Sequence, residues 1–153
     1  MKEQYNELKE DVLDEEKAID ETIEKLCQIR GNFDPQKQDI LTEPAMGTYL
    51  MNFYNGIENI LKRISKEYYL IMPKGNSWHK ELIVLSYNAP KGKIPIFDQT
   101  IAEGITPYKN FRHRFISGYG FQLKGEKMLE LIDNVESLWA DIKKAISVFF
   151  DRL

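Results

Sequence analysis

The sequence predicts an all-α fold, an antiparallel bundle of four to five helices, on three observations. Apolar residues recur at alternating three- and four-residue steps along three long stretches. Segments rich in Pro, Gly and Asn punctuate the chain between them. No strand period competes: LIVLSY, residues 82–87, is the nearest, and its flanks favour a helix.

The first stretch places Tyr5, Val12, Ile19 and Leu26 seven residues apart, with Leu8 and Ile23 between them. Such a stripe is the core face of one long helix, and Gly31 with the Asp34-Pro35 pair is expected to end it. In the second, Leu50, Phe53, Ile57, Ile60 and Ile64 form the stripe, and Tyr49, Tyr54 and Leu61 widen it. Lys62, Arg63, Lys66 and Glu67 fall on the opposite, wet face. Pro44 marks a kink or boundary upstream, because proline lacks a backbone donor and crowds the preceding turn. The turn-rich MPKGNS, residues 72–77, closes this helix.

Ser77 is placed to cap a short third helix that turns Trp78, Leu82 and Leu85 inward. The irregular segment NAPKGKIPIFDQ, residues 88–99, leads to Asp98, a second capping candidate. The helix it opens should be weakened or bent at Gly104 and Pro107 before FRHRFISGYG, residues 111–120. The last helix keeps the same rhythm through Met128, Leu131, Val135, Leu138, Ile142, Ala145 and Phe149.

With 153 residues, the chain is expected to form one domain, residues 1–153, able to bury a core without disulfides or metals. Cys27 has no partner within the chain, so a reducing cytoplasm is the expected compartment and a buried small side chain its expected role. No apolar run is long enough to span a bilayer, and the acidic start MKEQYNELKEDVLDEEK does not fit a signal peptide. A net charge of −3 argues against a broad electrostatic grip on nucleic acid, though not against a small basic pocket. No Gly-rich phosphate loop, paired-histidine metal motif or cysteine cluster is present, so neither metal nor cofactor is expected. The aromatic residues fall mainly on the apolar faces and read as core, with Tyr68 and Tyr69 partly exposed. His79, after Trp78, reads as a partly exposed helix-end histidine.

Candidate chemistry concentrates in FRHRFISGYG. On a helix Arg112, Ile116 and Tyr119 share one side, His113 and Ser117 form the adjacent row, and Phe111 with Phe115 anchors the segment in the core. A guanidinium there can clamp a phosphate, and an imidazole can exchange a proton near neutral pH. The structural alternative is a basic last turn that stabilises a helix end.

At these residues the sequence resembles the HEPN-domain proteins of the HepT-like ribonuclease toxin group. FRHRFISGYGFQL and the following EKMLELIDNVESLWADIKKAISVFF look like the C-terminal half of that group. YLMNFYNGIENILKRISKEY and PKGNSWHKELI match it upstream, so the resemblance covers roughly residues 45–153. It implies a helical homodimer whose two motifs line a shared cleft and cut RNA without a metal. It also implies a minimal nucleotidyltransferase antitoxin that adenylylates a motif tyrosine. The family's arginine maps to Arg112 and its tyrosine to Tyr119, whereas Ser117 stands at its histidine position. A serine hydroxyl cannot hold a proton as imidazole does, and His113, one turn away, is the candidate substitute. The catalytic set is therefore Arg112, His113 and Ser117, with Tyr119 as the modification site. The alternative is an inactive HEPN homologue that binds a nucleotidyltransferase or RNA without cleaving it.

Overall fold

The computed structural model describes residues 2–34, 36, 37, 40–119 and 125–153, without the side chain of Tyr119. Pro35, invoked above as a helix stop, lies outside the described residues, as do Gly120 and Phe121–Leu123 of the motif segment. The described residues form five α-helices and no strand: α1 Asn6–Asn32, α2 Thr42–Ile64, α3 Trp78–Tyr87, α4 Gln99–Arg114 and α5 Gly125–Arg152. A 3₁₀ turn, Glu3–Tyr5, precedes α1, and π-helical turns extend α2 (Ser65–Tyr69) and α4 (Phe115–Tyr119).

Residue pairings between helices report their directions. Arg30 meets Asp133, Cys27 meets Glu136, Asp20 meets Lys143, and the Lys2 amide reaches the Leu153 carbonyl. As α1 is descended α5 is climbed, so the two are antiparallel. Arg63–Asp11 and Gly56–Ile19 show the same relation between α1 and α2. Tyr108–Leu131 and Gly104–Leu138 show it between α4 and α5.

α2 packs against each of the other four helices. Its sequence explains that position, since Leu50, Phe53, Ile57, Ile60 and Ile64 are all essentially inaccessible and Tyr54 and Leu61 widen the buried face. Close approach needs small residues too. A Cβ on Gly56 would stand 2.5 Å from Ile19 Cγ1, and one on Gly47 would overlap the Phe115 ring. Aromatic edges fill the centre: Phe53 meets Tyr108 at 5.0 Å and Trp139 at 6.3 Å between centroids.

The end of α1, the boundary at Pro44 and the cap at Asp98 meet expectation, and other local expectations are corrected. α1 runs through Gly31 to Asn32, and Pro44 sits in the first turn of α2, where a missing N–H costs nothing. Ser77 precedes α3 without a side-chain capping bond; Asp98 does cap α4, its Oδ1 accepting from the Ile101 amide at 2.8 Å. α4 continues through Pro107, which is exposed, so solvent can take up the backbone carbonyl that proline leaves without a partner. Tyr68 and Tyr69 are buried rather than partly exposed. In α5, Ile132, Trp139 and Ile146 are buried while Leu131, Leu138 and Ala145 are only half-buried. Cys27 is half-buried, and its thiol donates to Glu136 at 2.9 Å.

The segment between α3 and α4 is held in place. Ile96 and Phe97 are buried, and both their amides donate to the Ser86 carbonyl. Ile94 is gripped at both ends of its backbone: its amide donates to the Tyr68 hydroxyl at 3.0 Å, and its carbonyl accepts from the Tyr69 hydroxyl at 2.8 Å. No described helix is long and apolar enough to cross a membrane.

Candidate functional site

The last turn of α4 faces the first turn of α3 across a groove of about 640 Å³. One wall carries His79 and Lys80; the other carries Lys109, Arg112, His113 and Arg114. No carboxylate is among the described residues that line it. A concave surface with four fixed cations and two imidazoles suits a polyanion, although the chain as a whole is acidic.

The arginine is held from behind. Arg112 is half-buried, and its Nε donates to Asn55 Oδ1 of α2 at 2.6 Å. That single bond fixes one edge of the guanidinium and leaves both terminal nitrogens without a protein partner among the described residues. His113 is exposed on the same groove. Ser117 is not among the described residues lining it, and its hydroxyl donates back to the His113 carbonyl at 2.7 Å. Mid-helix serine commonly satisfies itself this way.

The motif's framework follows its sequence. Phe111 is buried and stacks on Phe115 at 5.8 Å between centroids, and Phe115 lies directly on Gly47 of α2. Gly118, at φ 88°, takes the left-handed conformation that breaks the helix. The backbone of Tyr119 completes the π-turn, and its side chain lies outside the described residues.

The structure also brings in a residue that the sequence reading assigned to a helix end. His79 is half-buried and stacks on Trp78 with centroids 3.6 Å apart. Its Nδ1 lies 2.5 Å from Glu58 Oε2, a carboxylate only 4% exposed. The same oxygen accepts from the Tyr54 hydroxyl at 2.6 Å, and Lys62 Nζ stands 3.6 Å from Oε1. Burial, then the hydrogen bond to Glu58, pushes the Tyr54 phenol far above its ordinary range, so it remains a donor. One signal was available in the sequence: Glu58 falls directly beside Ile57 on the apolar face of α2, where a carboxylate must have partners.

Among the described residues, no group of three His, Cys, Asp or Glu side chains is placed to hold a metal ion. Comparison with protein families finds a match to the family described as HepT-like protein over residues 45–153. That span takes in α3, α4, α5, almost all of α2 and both walls of the groove. Comparisons with curated proteins and with solved structures find no match.

Proposed function

The chain belongs to the HepT-like protein family, and from that premise we propose that it is a metal-independent endoribonuclease, the toxin of a toxin–antitoxin pair. The observation that carries the reading is the convergence of Arg112 and His113, on the helix end that resembles the family motif, in a cationic groove lined by no described carboxylate. Arg112 presents its free guanidinium edge to the non-bridging oxygens of a phosphodiester. His113, exposed beside it, is the imidazole of this segment available for proton transfer, since position 117, the family's histidine position, holds Ser117. Attack by the ribose 2′-hydroxyl restricts the reaction to RNA.

Two regulatory features complete the proposal. Ile116 is 52% exposed next to the groove, an apolar side chain that a second subunit would cover, in keeping with a homodimer whose motifs share a cleft. Tyr119 is the residue that a nucleotidyltransferase antitoxin would adenylylate, filling the cleft with phosphate and bulk.

The test is incubation of purified protein, free of any partner, with labelled single-stranded RNA and its 2′-deoxy counterpart. Cleavage of the RNA alone, abolished by Arg112→Ala, is the expected result; intact RNA over long incubation at high enzyme refutes it. The second reading, a non-cleaving binder, has a specific observation behind it: the Ser117 hydroxyl is committed to the His113 carbonyl. A protein that binds RNA without cutting it, and begins to cut as Ser117→His, would establish that alternative.

A further inference from the structure

Glu58, Tyr54 and His79 form a buried-carboxylate relay whose open end faces the same groove as Arg112. Each ring nitrogen of His79 has a distinct setting. Nδ1 is engaged by Glu58 Oε2, which also accepts from Tyr54, so with a carboxylate acceptor Nδ1 carries the hydrogen. Nε2 then carries the lone pair, and it has no protein partner among the described residues. The ring itself cannot turn freely, because Trp78 stacks on one face and Lys62 covers Trp78 in turn at 4.5 Å.

This environment is unusual for a merely structural histidine. A carboxylate taken out of water is costly unless it is well partnered, and this one, which also accepts from Tyr54 and faces Lys62, fixes the imidazole's tautomer and orientation. A carboxylate-oriented imidazole with a free second nitrogen, on a residue that lines the groove, is the arrangement of a general base. Nothing else in the motif supplies one so held: Ser117 bonds back to the helix, and His113 is exposed, with no side-chain partner among the described residues.

We propose that His79 is the general base of the ribonuclease reaction, with Glu58 as its positioning residue and Arg112 as the phosphate clamp on the facing wall. The assignment rests on the ribonuclease reading above. In the step, the ribose 2′-oxygen gives its proton to His79 Nε2 and forms a bond to phosphorus. The bond from phosphorus to the 5′-oxygen breaks, and that oxygen takes a proton from His113 in its imidazolium form. The products are a 2′,3′-cyclic phosphate and a 5′-hydroxyl, and no oxidant, reductant or further reactant is consumed. Proton transfer of this kind contributes about 10²- to 10⁴-fold to rate.

The experiment measures cleavage of a labelled single-stranded RNA by the full chain and its variants, with thermal melts alongside. His79→Gln is expected to lower kcat at least about a hundredfold with KM within twofold. His79→Ala, which opens a space for a free ring, should regain part of the loss in added imidazole, a response that a structural histidine would not give. Glu58→Gln should lower kcat about tenfold at unchanged KM, and Glu58→Asp should restore part of it. If His79→Gln cuts at the wild-type rate while Arg112→Ala does not cut, the relay is overturned and the ribonuclease reading stands. If wild-type protein shows no Arg112-dependent cleavage, both fall together. If His79→Gln and His79→Ala both fail to fold, the imidazole belongs to the framework and the proposal is overturned as well.

Discussion

Replacing Asn55 by Asp separates what holds Arg112 in place from what Arg112 does. Asn55 Oδ1 accepts from Arg112 Nε at 2.6 Å, and Asp is nearly isosteric, so the bond survives and becomes an ion pair. Two unit charges 4 Å apart attract by about 4 kcal/mol at an effective dielectric near 20. Arg112 is only half-buried, which screens most of that, and the bond already exists in neutral form. The expected net gain in stability is about 0.5–1 kcal/mol, or roughly 1–4 °C in Tm for a chain of this size. Asn55→Ala loses the bond instead and should cost about 1 kcal/mol.

RNA binding should respond in a different order. The new carboxylate neutralises the guanidinium proposed to meet the phosphate, so on that proposal single-stranded RNA should bind about tenfold more weakly, with a salt slope shallower by about 0.7. Asn55→Ala leaves the charge but frees its position, and its loss of affinity should be smaller. Stability then ranks Asp above Asn above Ala at position 55, while affinity ranks Asn above Ala above Asp. The stability gain is present above the ordinary carboxylate range and is lost as pH falls through the lowered value of the introduced acid. Urea titration and fluorescence anisotropy with labelled RNA read the two quantities independently. Affinity that simply followed stability across the three proteins would refute the assignment of Arg112 as the phosphate contact.

Gly56→Ala puts a methyl group against Ile19, which is 1% exposed and has nowhere to move. Overpacking of about 1–3 kcal/mol outweighs the roughly 1 kcal/mol gained in helix propensity, and pairing it with Ile19→Val should recover part of the loss in a double-mutant urea series. Cys27 should alkylate about a hundredfold more slowly at pH 8 than a free thiol, because burial and then the bond to Glu136 push it up to about 11; iodoacetamide kinetics check this. Glu16 is 8% exposed, and desolvation raises its carboxyl above the ordinary value despite the opposing charge of Lys143. The folded protein therefore resists ionising it, so Glu16→Gln should raise Tm at pH 7, and the difference should vanish as pH falls below the carboxylate range.

The stripes of α1 and α2 were legible in the sequence because each helix has one dominant apolar face, and the residues named on them are buried except Tyr5, Ile23 and Tyr49, which are half-buried at the edges. α5 was read correctly at Met128, Val135, Ile142 and Phe149 and missed by one residue at Leu131, Leu138 and Ala145. It packs against α1, α2 and α4 together, so Ile132, Trp139 and Ile146 are covered by neighbours that a single-stripe reading leaves out. Pro107 did not break α4 because its lost bond lies on the wet side. At the candidate site, Arg112 and His113 were legible from local charge and helical spacing, and the groove unites them. Asn55 and His79 were not, since each gains its meaning from a partner more than 20 residues away in sequence, Arg112 for one and Glu58 for the other. Their pairing is a product of tertiary packing.

The double grip on Ile94 has a mechanical consequence. The segment that joins the two groove walls is riveted to the end of α2 by two phenols, with Lys93 lying 4.6 Å over one of those rings. α2, which also supplies Asn55 and Glu58, thus acts as the common chassis for both jaws. For the RNA strand proposed as its ligand, the groove would be set before binding, and little binding energy would be diverted into assembling it. Phe substitutions at Tyr68 and Tyr69 would loosen the rivets while leaving the jaws chemically unaltered.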